Sequence, residues 1–397
     1  MPLIPDNFFI QGISIKGDYI LLVLFLTYLI EIIRNKKTRI NFCIGVKASF
    51  RDLIFILMII IFIIMLASVS YASDKSIAIR ESLRFLIYII VYFIIKYEVK
   101  TERLIFAILN NYILATFFIS LFGVIQYFTR IGLNDRFIYD TSKYSVALRI
   151  TSTLDNSNTL GAYLIIAIFP LIMMGIYEKN INKKVIYIII SMLASVTLIL
   201  TFSRNAWLGV LIGITLLVIM YNHKFILLFL SGIGISVLLP QVRSRAADFK
   251  ILLDDPRVNI WKLALNMIKE NLVLGIGNGN FYNQYGEYAK KYPKLRYNSN
   301  TKFPTHNSYL KVFSELGLIG IIPFVALIIS VLIALKNTLR NLSPGVLKSF
   351  YKGFYISVIV FIFMNIPDNL FFVPKVTMNF WILVAISQSI IYNDIRY

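Results

Sequence analysis

Cysteine is almost missing from this chain: Cys43 is the one thiol in 397 residues. That excludes an intrachain disulfide and any centre built from several thiolates, so no metal site is expected. Histidine is nearly as scarce, with only His223 and His306. Carboxylates are half as numerous as cations, 20 against 40, which leaves a net charge of +20. Charge of either sign vanishes over long stretches, and Leu53–Ala67 and Leu208–Met220 carry none at all. A soluble domain cannot hide such runs, whereas a bilayer selects for them. The excess of cations is therefore read as loop anchoring at a membrane, and no nucleic-acid partner is expected. The opening "MPLIPDNFFIQGISIKG" has neither a basic n-region nor a small-residue cleavage site, so no cleavable signal peptide is expected.

What is present is apolar: 58% of the residues, with a mean hydropathy of +0.74. The pattern predicts an all-α polytopic membrane protein, because backbone groups in lipid must be satisfied within each span. Eleven spans are expected, near 17–33, 53–71, 77–95, 104–128, 160–177, 185–201, 207–221, 225–240, 317–335, 350–366 and 377–393. The connections "RNKKTR" (34–39), "KYEVKTER" (96–103), "EKNINKK" (178–184), "HK" (223–224) and "KNTLRNLSPGVLK" (336–348) are basic and fall on one side. The positive-inside rule makes that side the cytoplasm. Two long segments, 129–159 and 241–306, then lie outside, together with the tight turn "FSRNA" and the short loop "PDNLFFVPK". The expected organisation is N-terminal spans over 1–240, an extracytoplasmic unit over 241–306 and C-terminal spans over 307–397. The middle unit is itself basic, including Arg243, Arg245, Lys250 and Arg257, which suits an anionic ligand at the outer leaflet. No internal repeat is evident, which weakens a transporter built from inverted repeats.

Four stretches carry chemistry. In "KFPTHNSYLKVFSELGLIG" (302–320) a helix is expected to start near His306. A histidine in a first turn feels the positive helix end, which favours the neutral imidazole that a general base requires. An equally available reading is a histidine that only hydrogen-bonds its own helix terminus. In "LTFSRNAWLG" (200–209) Arg204 stands at an abrupt turn between spans, either snorkelling to the interface or fixed over the outer mouth of the bundle. In "LLDDPRVNIWKLALNMIKENLVLGIGNGNF" (252–281) Asp255 is the expected N-cap and Pro256 the first helical residue. Val258, Trp261, Leu265, Ile268 and Leu272 then form the apolar face. Arg257 projects from the first turn, where free N–H groups already favour anions. Asp254 with Asp255 is a poor metal site, since capping explains Asp255. "GIGNGNF" lacks the spacing of a dinucleotide loop and reads as the turn that ends the helix. In "ALRITSTLDNSNTLGAYL" (147–164) Arg149 can add to an anion site, and Asn158 either caps the next span or touches substrate. "SIAIRESLRFL" (76–86) sets Arg80 and Arg84 one turn apart, with Glu81 expected off their face.

Together, "SRNAWLG", "DPRVNIWKLAL", "LVLGIGNGNF" and "THNSYLKVFSELGLIG", in that order and loop placement, resemble the O-antigen ligase and Wzy-type polymerase superfamily of bacterial glycan-assembly proteins. "RITSTLDNSNTLGAYL" and "NFWILVAIS" look similar too, and the resemblance runs from about residue 147 onward. It implies a GT-C-like bundle of about 11–12 transmembrane helices in the cytoplasmic membrane, with the active site on the extracytoplasmic side. It also implies transfer of a glycan from undecaprenyl diphosphate to a hydroxyl of an acceptor glycan, lipid or protein, with inversion and without metal or cofactor. By that resemblance His306 is the catalytic residue, and Arg204 and Arg257 bind the diphosphate. Arg149, Arg80, Arg84 and Asn307 are accessory candidates. The residue chemistry agrees: departure of a lipid diphosphate builds negative charge that two guanidinium groups and a helix N-terminus can stabilise.

Three alternatives stay open. A polymerase of the same superfamily shares these motifs and differs only in its acceptor. A polysaccharide flippase would place ionisable groups along a mid-membrane path. A membrane anchor presenting a basic outer domain needs no convergence of Arg204, Arg257 and His306.

Overall fold

The computed structural model describes residues 2–3, 9–10, 13–14, 17–139, 148–227, 257–297 and 302–394, with side chains from residue 23 onward in the first long stretch. The expected span 225–240 falls largely outside these residues. So do the capping Asp255 and Pro256, the Asp254 beside them, and the cations Arg243, Arg245 and Lys250. Apart from a pairing of Phe9–Ile10 with Ile13–Ser14, the regular structure is helical.

The helices run α1 (Gly17–Arg34), α2 (Lys36–Ser49), α3 (Leu53–Ala67), α4 (Lys75–Glu98), α5 (Glu102–Thr129), α6 (Ser157–Tyr177), α7 (Ile181–Leu200) and α8 (Arg204–Met220). They continue as α9 (Arg257–Glu270), α10 (Phe281–Lys291), α11 (Ser308–Asn341), α12 (Val346–Met364) and α13 (Pro374–Tyr392). Every expected span on described residues is thus a helix, and the chain is an all-α polytopic membrane protein. Among the described residues six helices are long and apolar enough to cross a bilayer: α3 with its following turn, α5, α6, α7, α11 and α12. α4 and α13 carry more polar residues, and their polarity is tolerated because much of it faces protein. Ser82 and Lys96 on α4, and Lys375, Thr377, Asn379, Ser387 and Ser389 on α13, are all buried.

α6 is the centre. Of its apolar window 89% is buried, against 28% for α7, so α7 meets lipid and α6 meets only helices. Two close approaches allow this. A Cβ on Gly161 would come within 2.7 Å of Ala206 on α8, and one on Gly353 within 2.3 Å of the Phe169 carbonyl on α6. α12 therefore packs backbone to backbone on α6, with Ser357 Oγ donating to the Ile165 carbonyl at 2.8 Å.

α2 was not anticipated. Its 14 residues are too polar to span, and the expectation there was a short basic connection at 34–39. Asn35 caps it by accepting from Lys37 N and Thr38 N.

α11 has 34 residues, which at about 1.5 Å each exceeds a hydrocarbon core of about 30 Å. It is broken at Gly317 (φ 62, ψ −161). The break is filled by the strap that follows α9: Ile276 N donates to Ser314 O, Gly277 N to Glu315 O and Leu318 N to Leu272 O, each at 2.9 Å. The buried Glu315 carboxylate takes Gly279 N (2.8 Å) and Phe281 N (3.2 Å) and pairs with Lys311 at 2.6 Å. On α4, Asn278 Nδ2 donates to Ala78 O and Ser82 Oγ, both at 3.2 Å. "GIGNGNF" is therefore a buried docking strap between α4 and α11, beyond the helix-ending turn expected of it.

The outer unit has a small core of Ile260, Leu263, Ala264, Met267, Phe281, Tyr285 and Ala289. This corrects the expected apolar face of α9. Ile268 is buried, but Leu265 and Leu272 are 45% and 47% exposed. The helix has apolar residues on two sides, and the side that faces α10 won.

Candidate active site

The site is built where three helix starts meet one loop. α6 begins after the N-cap Asn156, α8 after the N-cap Ser203 and α11 after the N-cap Asn307. The loop 365–373 joins α12 to α13. Its Asn365 accepts from Ser308 Oγ (2.6 Å) and Phe371 N (2.8 Å), and its Asn369 accepts from Asn307 N (2.8 Å). These bonds lock the loop against the start of α11.

His306 does not lie in the helix. It sits one residue before the cap, in the left-handed region at φ 48, an uncommon conformation for a non-glycine residue that costs about 1–3 kcal/mol. Its carbonyl accepts from Trp261 Nε1 on α9 at 3.3 Å, and its ring lies 5.6 Å from that of Phe303. The expected influence of the helix dipole is thus replaced by that of a carboxylate. Nδ1 stands 3.6 Å from Asp368 Oδ1, just beyond hydrogen-bond length, so a small ring rotation closes the contact.

Asp368 is the residue that sequence reasoning missed. Its other oxygen accepts from Asn158 Nδ2 at 3.0 Å, and Asn369 N donates to Oδ1 at 2.9 Å. Burial pushes its carboxyl pKa up. The interaction with His306, the charges of His306 and Arg257 and the Asn369 N–H outweigh that and hold it below the ordinary range. Arg257 anchors to the same loop, with Nη1 donating to Pro367 O at 2.7 Å.

Asn158 is the hub. Its side-chain oxygen accepts from Arg149 Nη2 and from Ser203 Oγ, each at 2.9 Å, while its nitrogen reaches Asp368. Arg149 Nε also donates to Thr201 O at 2.9 Å, tying the end of α7 to the start of α6. Gly161, one turn along α6, lets α8 come close enough for the Ser203 contact. The network therefore joins Arg149, Asn158, Ser203, Asp368, His306 and Arg257, and Arg204 follows Ser203 directly as the first residue of α8. Asn307 serves as the cap, accepting from Tyr309 N and Leu310 N at 2.9 Å.

Arg80 and Arg84 lie on α4. Arg84 Nη1 pairs with Glu81 Oε1 at 2.8 Å, contrary to the expectation that Glu81 lies off its face. The separation is i, i+3, which places both on one side of a helix. Arg84, Glu81 and Glu315 stand together among the residues lining a narrow, largely apolar cavity of about 50 Å³ between α3, α4, α11, α12 and α13.

A single rim of a helical membrane bundle thus holds a buried carboxylate beside a histidine and an arginine, which defines the class: a polytopic membrane protein with a polar reaction-type site at a helix-terminal junction. Residues 189–325 match the family described as O-Antigen ligase. The chain is also 25% identical over 312 residues to the teichuronic acid biosynthesis protein TuaE of Bacillus subtilis (strain 168). That similarity covers 71% of this chain and 61% of the relative, so the match spans about three fifths of the relative's length. The family match and this relative both point to the O-antigen ligase/Wzy superfamily. Arg204, Arg257 and His306 lie inside the family match, while Asp368 and Asn158 lie outside it.

Proposed function

We propose that this protein is a membrane glycosyltransferase that moves a glycan from undecaprenyl diphosphate to an acceptor hydroxyl at the extracytoplasmic rim of the cytoplasmic membrane. His306 acts as general base, Arg257 and Arg204 carry the diphosphate charge, and Asp368 orients and charge-compensates the imidazole. In the reaction the acceptor oxygen forms a bond to the anomeric carbon as the bond to the diphosphate breaks. The hydroxyl proton passes to His306, and the lipid diphosphate leaves with the electron pair. A single displacement of this kind inverts the anomeric centre.

The observation that carries this reading is the meeting of His306, Asp368 and Arg257 at one loop, joined through Asn158 to the turn bearing Arg204. A base next to a carboxylate can hold the proton it accepts. Guanidinium groups and helix N-termini suit the charge that builds on the leaving group. Charge gathered at a rim also fits transfer better than the mid-membrane path of a flippase. Polymerisation, in which the acceptor is itself a lipid-linked glycan, is the second reading. Similarity to a protein of teichuronic acid biosynthesis suits either reading.

The test is an assay with purified protein, an undecaprenyl-diphosphate glycan and a chelator, scoring chain lengthening separately from transfer to added acceptors. Either product supports glycosyl transfer and distinguishes the two readings. Absence of both, with the wild type monodisperse and His306→Ala indistinguishable from it, overturns the proposal.

A further inference from the structure

At the opposite end of the bundle from the His306 site, α2 meets the start of α3 and the ends of α4 and α13. Residues 32–51 hold Arg34, Lys36, Lys37, Arg39, Lys47 and Arg51 and no carboxylate. Between these cations α2 and its exit leave apolar side chains uncovered: Ile40 is 49% exposed, Ile44 51% and Phe50 75%. An open pocket of about 570 Å³ lies beside them. It is lined by Ile44, Lys47 and Ala48 on one side and by Arg51, Asp52, Lys96, Tyr97 and Tyr392 on the other.

The charges in that cavity do not cancel. Lys96 and Asp52 neutralise one another at 2.6 Å, with Tyr92 OH donating to the same carboxylate oxygen at 3.0 Å. Lys47 and Arg51 remain, both exposed, and no ion pair engages either among the described residues. The buried Tyr97 hydroxyl faces the Asp52 carboxylate and neutralises neither cation. Two cations without a counter-charge ask for an oxyanion. The exposed Ile40, Ile44 and Phe50 ask for hydrocarbon next to it. A free phosphate or a nucleotide answers only the first need.

We propose that this pocket binds the phosphodiester headgroup of an anionic phospholipid, with α2 lying in the membrane interface and its acyl chains against Ile40, Ile44 and Phe50. A basic helix with apolar side chains directed to lipid is the pattern of an interfacial, anionic-lipid-binding element. The site is separate from the glycan-transfer reading and does not depend on it.

The experiment uses the full chain in nanodiscs of phosphatidylcholine carrying a trace of spin-labelled phosphatidylglycerol or spin-labelled phosphatidylcholine. The expected result is retention of phosphatidylglycerol over phosphatidylcholine by about tenfold or more, as two cations at a surface supply. Lys47→Gln with Arg51→Gln should bring it to the phosphatidylcholine level. Ile44→Gln with Phe50→Gln should weaken it as well, and millimolar inorganic phosphate should not compete. Both pairs are surface changes, and unchanged thermal melting in pure phosphatidylcholine shows that they fold. Equal retention of the two lipids, or retention unaffected by the Lys47 and Arg51 changes, overturns the site. Competition by inorganic phosphate with no effect of the Ile44 and Phe50 changes overturns the lipid in favour of a soluble anion.

Discussion

Asp368 faces His306 across 3.6 Å and at the same time takes a 3.0 Å hydrogen bond from Asn158. The carboxylate is thus fixed from behind while its front oxygen addresses the imidazole. That constraint makes the pair open to test.

If the two residues act as a unit, their losses will not add. His306→Ala should lower the initial rate of glycan transfer by about 10²–10⁴-fold, the usual contribution of a general base. Asp368→Asn should lower it less, and the double variant should be no slower than His306→Ala alone. Rates in proteoliposomes at matched protein levels give the cycle. A double variant that loses the product of the two single effects would show the residues to be independent.

The Asp368 carboxyl also predicts a pH dependence. Its folded pKa lies below the ordinary value of 3.8. A depressed carboxyl adds stability that is complete above the ordinary value and is lost as pH falls through the folded one. Melting temperature in detergent should therefore hold above about pH 4 and decline as pH falls below it in the wild type. Asp368→Asn should be less stable at neutral pH and flatter across that window. A variant with the wild-type slope would assign the acid limb to other groups.

Much of this fold is readable from the sequence because lipid enforces it. The charge-free runs in α3 and α8 and the basic connections leave few alternatives for where helices lie. α2 escaped since a basic, half-polar segment gives no such signal, although Asn35 ahead of it is a cap. The buried face of α9 was misread because Leu265 and Leu272 continue an apolar stripe that the packing of Ile260, Leu263 and Met267 on α10 leaves outside. Of the site, Arg257 and His306 both reach the loop 365–373, through Pro367 and Asp368, and no sequence pattern points to that loop as the meeting point. Asp368 stands in "PDNLFFVPK", more than sixty residues beyond His306, and no local period links them. The available signal was its rarity, an acid in a short loop of a chain poor in acids.

Asn158 carries a prediction of its own. Asn158→Ala leaves Arg149 Nη2, Ser203 Oγ and Asp368 Oδ2 each short of a partner. Loss of such a half-buried hub should cost about 1–3 kcal/mol. Without the amide donor the Asp368 carboxylate is less favoured, so the acid limb of melting should move to higher pH. Melting curves of Asn158→Ala and Asn158→Gln against pH check this. An unmoved acid limb in both variants would remove Asn158 from the network.

The break in α11 supplies the last prediction. Gly317 holds φ 62, and a Cβ there would lie 2.1 Å from the Val273 carbonyl oxygen and 2.6 Å from Leu274 N. Both are backbone atoms of the strap, which cannot swing aside like a side chain. Gly317→Ala therefore combines left-handed strain with a clash, and should destabilise the protein by about 2–4 kcal/mol. Gly345 offers the control, because its φ of 175 is ordinary extended backbone and nothing lies within 4 Å of an added Cβ. Gly345→Ala should be close to neutral. The two variants can be compared by denaturant titration in mixed micelles, with glycan transfer measured on the folded fraction. Gly317→Ala should lose activity even where it folds, since the strap it displaces sets α9, and with it Arg257 and Trp261, against His306. Equal stability and equal activity of the two variants would mean that the strap moves freely and does not position the site.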